Sequence, residues 1–473
     1  MWPLLLSVLS AVSFFVPSVV TTSISPGFPN GKIYGVNLGS WLVLEAWMLP
    51  QEWLDMGGQM CDDCSTCIAS EWAFGRAFPD TVDEIFNKHW ESWFSQTDVD
   101  TMARLGLNTV RIPLGFWIVE PIVDRSTEFY PRGGIKQLKR GLSQLKAAGI
   151  SAILDHHALP GVQTAGQMFT GNCTSDVEFY TEANYHRALV WTAVMTGLSH
   201  LDPDFGSVFA IEAVNEPIMD ATQTPGYGDF QVNFVKVVRA VELALGITVP
   251  NEGSALSSRA SNNATASLLQ TSKELTSSSD TEVAQALADA APVLAEVLSE
   301  LGLASLLFNG PPLRTPLVTT FMDINWQFNS PPNPAAAAIG PQGYDNHLYY
   351  SFGGVADPNP DAYLTSICNL NRVQADAALG NSPLWFGEWG LPTQFNATDD
   401  FLYQWADAQK LAYSQSAGWI FWNFKVEMSD LAGDLSRQWS YFDAVNRGFF
   451  SPIPAEIHNP SVCAPFIATA SSS

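Results

Sequence analysis

Two glutamates stand where a charge is costly. Glu216 closes the apolar run VFAIEAVNEP, and Glu388 lies between two tryptophans in WFGEWG. A carboxylate in such company needs a partner or a task. Cleaving a glycosidic bond supplies a task for both, since it takes a proton on the leaving oxygen and a carboxylate beside the developing oxocarbenium ion. The two acids must then differ in ionisation, which only different surroundings can impose. Arg111 and Tyr349 can keep Glu388 anionic by charge and hydrogen bonding. Glu216 is then the general acid and later the general base. Asn215 is a neutral group for the sugar 2-hydroxyl, and His347 can tune or shuttle the proton of Glu216.

These residues sit at the ends of short apolar, β-branched or aromatic runs: 32–43, 108–117, 150–159, 207–217, 315–324, 344–352, 383–390 and 418–425. Amphipathic patterns such as 97–107 and 134–149 lie between several of them and end in glycines suited to helix C-caps. Eight strand-helix units predict a single α/β domain, a (β/α)8 barrel with loop insertions. Such a barrel builds its site from the carboxyl ends of its strands. Arg111, His156, His157, Asn215, Glu216, His347, Tyr349, Glu388, Trp422 and Lys425 are expected to converge on that mouth.

Residues 249–313 break the rhythm and read as an insertion after the fourth strand, first a Ser/Asn/Thr-rich loop and then an amphipathic helix. It walls the cleft or decorates the surface. A second excursion, 44–96, carries five tryptophans and the CDDCSTC cluster. Most of the 16 tryptophans belong to the core, but Trp422 ends the eighth strand and suits the flat face of a pyranose. His156-His157 lacks a third neighbouring His or Cys ligand, so no metal site and no cofactor are expected.

With 473 residues, 47% hydrophobic and 15% charged, the chain can build a large core and is not a disordered polymer. Its 47 acidic and 22 basic residues leave a net charge of −25, which repels nucleic acid and anionic membranes and favours a neutral substrate. Residues 1–22 read as a signal peptide preceding a catalytic domain over 23–473; Pro17 interrupts the apolar run and nothing charged follows to stop transfer. Export favours disulfides among Cys61, Cys64, Cys67, Cys173, Cys368 and Cys463 over thiolate metal ligation, with the pairing open among 15 possibilities. Sequons at Asn172, Asn263 and Asn396 agree with export.

The segments GVNLGSWLVLE, VRIPLGFW, LDHHALPG, NEP, DNHLYYSF, GEWG, GWIFWNFK and QWSYFDAVNRGFF, in that order, closely resemble glycoside hydrolase family 5, in particular its fungal exo-β-1,3-glucanase branch. The resemblance spans nearly the whole chain after residue 22. It implies a retaining enzyme with Glu216 as acid/base and Glu388 as nucleophile. It further implies that Arg111, His156, Asn215, His347, Tyr349 and Trp422 line the glucosyl site and that Glu45 hydrogen-bonds sugar hydroxyls. The stretch DHHALPGVQTAGQMFTGNC departs from the branch's LDLHGAPGSQNG-type sequence, and the 249–313 and CDDCSTC segments are foreign to it. The expected protein is a secreted, monomeric, fungal enzyme acting on cell-wall or storage β-glucan, with exo-β-1,3 hydrolysis first. β-1,6-glucanase, β-glucosidase and transglucosylase action are alternatives, as is a catalytically silent carbohydrate-binding protein.

Overall fold

The computed structural model describes residues 28–29, 31–249, 263–277, 280–308, 315–323, 326 and 339–467. The expected signal peptide and residues 250–262 of the insertion lie outside these. Seven of the eight apolar runs contain one strand each, and the sixth strand starts two residues ahead of its run: β1 Ile33–Asn37, β2 Thr109–Gly115, β3 Ser151–Ala158, β4 Val208–Glu212, β5 Val318–Met322, β6 Gln342–His347, β7 Leu384–Glu388 and β8 Gly418–Phe421. They pair in parallel and in chain order, and β1 closes on β8 to complete the barrel.

The period of two in each strand sorts the barrel interior into layers. At the amino end, Ile33, Ile153, Ala210, Val318, Trp385 and Ile420 form an apolar plug, none more than 2% exposed. Two residues further along the strands come Asp155, Glu212 and Gly387, with Asn37, Arg111 and Asp345 at the same depth, and the mouth lies above them. One irregularity matters there. His347 pairs with Glu388 whereas Asn346 pairs with Phe386, so β7 carries an extra residue, Gly387. A Cβ on Gly387 would stand 1.9 Å from Asp345 Oδ1. Only glycine fits this bulge, which turns Glu388 toward the mouth.

The outer helices follow the sequence pattern. Gly134–Ala147 buries Ile135, Leu138, Leu142 and Leu145 at three- and four-residue spacing and yields to Gly149 at φ 73°. Gln96–Arg104 starts with a capping box between Ser95 and Asp98. The described part of the insertion is a helical hairpin, Ala264–Ser277 and Thr281–Glu300, packed on the outer helices Glu182–Leu201 and Tyr227–Ala244. It therefore decorates the barrel's flank, and residues 264–277 are helix where a loop was expected. Their buried stripe, Ala264, Ser267, Leu268, Thr271, Ser272 and Leu275, has helical spacing but contains three hydroxyl residues, which blurs the apolar period.

All six cysteines are paired, as Cys61–Cys67, Cys64–Cys173 and Cys368–Cys463. The second bridge ties the CDDCSTC loop to the long loop after β3. Among the described residues, no helix is long and apolar enough to cross a membrane.

Candidate active site

Arg111 projects from β2 into the barrel axis and is fully buried. Its guanidinium faces four carboxylates: Glu388 at 2.8 Å, Glu212 at 2.9 Å, Asp155 at 3.0 Å and Asp345 at 3.3 Å. It also donates to Asn215 Oδ1 at 2.8 Å and Asn37 Oδ1 at 3.3 Å. Five strands and the turn after β4 thus meet on one planar cation, a task suited to the forked geometry of arginine. Burial works against its charge, but the surrounding carboxylates outweigh this and hold Arg111 well above its ordinary value.

Glu388 has both oxygens engaged. Oε1 accepts from Arg111 at 2.8 Å and Oε2 from the Tyr349 hydroxyl at 3.0 Å. Glu216, on the turn after β4, accepts from His347 Nδ1 at 2.7 Å, and its side chain is 20% exposed to the cleft. His347 Nδ1 also lies 3.5 Å from Glu388 Oε2. One ligand atom from each of Glu216, His347 and Glu388 falls within 4.8 Å of the other two.

Burial drives the Glu388 carboxyl up to about 8, against the pull of His347 and Arg111, and likewise raises Glu212 to about 8 and Asp155 to about 7. Arg111 alone does not offset so many acids. For His347, burial disfavours the imidazolium, but Glu388, Asp345 and Glu216 overcome it and hold the ring well above the ordinary histidine value. The cluster therefore titrates as a unit. Of the two facing glutamates, Glu388 has donors on both oxygens and Glu216 is the one open to solvent.

The other expected residues divide. Glu45 reaches the mouth, where it accepts from Trp47 Nε1 at 2.9 Å; burial raises its carboxyl to about 7, with Glu216 adding to the rise. Trp422 lies there too, its ring parallel to His157 at 5.7 Å. His156 does not. It alternates outward from the barrel and stacks on Trp191 of an outer helix at 3.8 Å, with both ring nitrogens buried and unpartnered. Period two from Asp155 selects His157 instead, whose Nδ1 is 2.5 Å from Asp155 Oδ2 and whose ring feels the charges of Arg111 and Glu216. Lys425 also turns away, pairing with Asp98 at 2.9 Å over the Trp93 ring.

Several residues at the site had not been singled out: Asn37, Asp155, Glu212 and Asp345 around Arg111, and the aromatic rim of Trp47, Trp439 and Phe352. Trp439 contacts Trp47 at 5.1 Å and Tyr349 at 5.7 Å, and Phe352, 76% exposed, leans on Tyr349 at 5.6 Å. A charged residue two places before a mouth residue on the same strand was the available signal for Asp155 and Asp345.

Two carboxyl groups this close, on the carboxyl rim of a parallel barrel, are the equipment of a retaining glycoside hydrolase, because an inverting pair stands further apart to admit a water. Sequence comparison places the chain more closely. Residues 80–427 match the family model described as Cellulase (glycosyl hydrolase family 5), and the chain belongs to that family. It is similar to a protein named probable glucan endo-1,6-beta-glucosidase B from Neosartorya fischeri, 30% identical over 91% of this chain and 88% of the other. The glucan endo-1,6-beta-glucosidase B of Emericella nidulans matches at 30% over the same shares. A probable glucan 1,3-beta-glucosidase A from Aspergillus niger is 32% identical over 45% of this chain and 48% of its own. Among solved structures, the rutinosidase of Aspergillus niger superposes with a TM-score of 0.57 at 17% identity, over 89% of this chain and 98% of that one, a likeness of fold.

Proposed function

We propose that this chain is a secreted β-glucan hydrolase that cleaves internal β-1,6 linkages by double displacement. The observation that carries the chemistry is the Glu216–His347–Glu388 cluster, all within 4.8 Å. Glu388 Oε2 or Oε1 attacks the anomeric carbon while Glu216 gives its proton to the departing glycosidic oxygen. The ester to Glu388 is then hydrolysed by a water that gives its proton back to Glu216. Arg111 and Tyr349 orient the nucleophile, Arg111 and His347 draw its carboxyl toward the anion against the opposing effect of burial, and Asn215, itself fixed by Arg111, hydrogen-bonds the 2-hydroxyl. Glu45, His157 and Trp422 complete the glucosyl site, and the exposed aromatic rim offers apolar faces to further sugar units.

The linkage reading rests on coverage. Relatives named for endo-1,6 action align with nine-tenths of this chain, whereas relatives named for 1,3 action align with under half. Exo-β-1,3 hydrolysis, first in the sequence reading, thereby becomes the second. Three disulfides and an acidic surface suit an extracellular enzyme. Chromatography of early products from pustulan and laminarin separates the readings: short β-1,6 oligomers from pustulan are expected, and glucose alone from laminarin would replace this reading with exo-β-1,3 action. Glu388→Gln should abolish turnover on either polymer. Glu216→Gln should lose about 10²–10⁴-fold on glucan yet form the glycosyl-enzyme from dinitrophenyl glucosides, whose leaving group needs no proton.

A further inference from the structure

The loop after β3, residues 159–180, departs from the family pattern, and the catalytic steps above do not use it. It nevertheless touches the acid/base turn at three successive points. Gln163 Nε2 donates to the Asn215 carbonyl at 3.1 Å, Thr164 Oγ1 donates to the Glu216 carbonyl at 2.6 Å, and the Ile218 N–H donates to the Tyr180 hydroxyl at 2.7 Å. Tyr180 in turn donates to the Gln163 carbonyl at 3.0 Å, which closes the set.

Both backbones are strained where they meet. Glu216 has φ 40° and Val162 has φ 64°, values that non-glycine residues adopt only when the surroundings impose them. A residue in that conformation aims its side chain differently from one that has relaxed to negative φ, so whatever holds the Glu216 backbone also holds the direction of its carboxyl. Thr164 makes the contact to Glu216 itself. The loop is tied to the CDDCSTC loop by the Cys64–Cys173 disulfide and braced across itself by the Gly166 N–H donating to the Thr174 carbonyl at 2.8 Å.

We propose that this disulfide-tied loop is a clamp on the acid/base turn and that Thr164 is a positioning residue, holding the Glu216 carboxyl in line with the glycosidic oxygen. The inference rests on the acid/base reading of Glu216. Loss of the Thr164 hydroxyl then impairs the two proton transfers and leaves attack by Glu388 intact.

The test compares Thr164→Val, close to threonine in shape, and Thr164→Ser, which keeps the hydroxyl, with Glu216→Ala and the wild type. Each is assayed on β-glucan and on a dinitrophenyl β-glucoside with and without azide. Azide bonds to the anomeric carbon as the ester to Glu388 breaks, releasing a glycosyl azide with no proton to remove. Thr164→Val is expected to lose about 10- to 100-fold in kcat/KM on glucan, to return to about threefold of wild type on the activated substrate with azide, and to yield the azide product. Thr164→Ser is expected to restore turnover on glucan. Equal loss on both substrates without azide rescue, or no loss, overturns the inference. If Thr164→Val does not fold, Thr164→Ala is read by the same ratio. Azide rescue of Glu216→Ala checks the underlying role separately: rescue there with none of the pattern at Thr164 rejects only the clamp, and absence of rescue rejects the acid/base reading itself.

Discussion

His156 and His157 show how much one residue of offset changes. His157 stands over Asp155 inside the barrel, whereas His156 is dry, stacked on Trp191, and carries two ring nitrogens with no partner. Burial holds the His156 ring well below its ordinary value, so it stays neutral and each lost nitrogen solvation is a cost without return. His156→Phe keeps the stack and removes the orphaned nitrogens. It should leave kcat/KM within about twofold and stabilise the fold by about 1 kcal/mol, seen as a higher melting temperature. His157→Phe should instead raise KM or lower kcat by at least about tenfold, since it unpairs Asp155 from the ring; a reversal of the two outcomes would put His156 back in the site. The adjacent pair was visible in the sequence, and its alternation was too, but the resemblance drew the assignment to the wrong member. The cage around Arg111 was harder to foresee, because its acids come from four strands with up to 277 residues between partners.

At the level of elements, every strand was legible because each apolar run ends in the polar groups that the mouth requires. What the runs did not reveal was the bulge in β7. Strict alternation from Trp385 puts Gly387 inward and Glu388 outward, and only the extra residue brings the carboxyl round. Gly387→Ala would place a methyl 1.9 Å from Oδ1 of the buried Asp345 carboxylate, which must shift, and with it its pairing to Arg111, to admit the group. We expect it to cut turnover by more than about 100-fold, a shift of about an ångström at the reacting atoms being worth that much; crystallography or an active-site titration of glycosyl-enzyme would register the displaced Glu388, and wild-type activity would show that the bulge is dispensable. The hairpin of the insertion was half legible: Thr281–Glu300 has an apolar stripe, and Ala264–Ser277 hides its own behind serine and threonine.

Across the whole molecule, protonation is coupled to folding. Burial raises Glu45 and Asp155 to about 7 and Glu71, Glu212 and Glu388 to about 8. Each binds a proton in the folded state at a pH where the unfolded chain has released it, so its contribution to stability is complete at acid pH and is lost as pH rises through 7 to 8. His156 and His157, held neutral by burial, act in the opposite sense as pH falls below the ordinary histidine value. The balance puts maximum stability at about pH 4.5–5, and the growing negative charge at higher pH acts in the same direction. Calorimetric melting temperatures should fall steadily from pH 5 to 8; a rise over that interval would refute the assignment of buried protons. The apolar plug of Ile33, Ile153, Ala210, Val318, Trp385 and Ile420 has a separate consequence. Among the described residues the barrel is stoppered at that end, so under the proposed reaction the freed half of a cut polymer leaves by the mouth at which the next visitor arrives. Whether that visitor is water or another sugar hydroxyl is then decided by a race at the threshold, and dense saccharide solutions should tilt the outcome from breaking chains toward joining them.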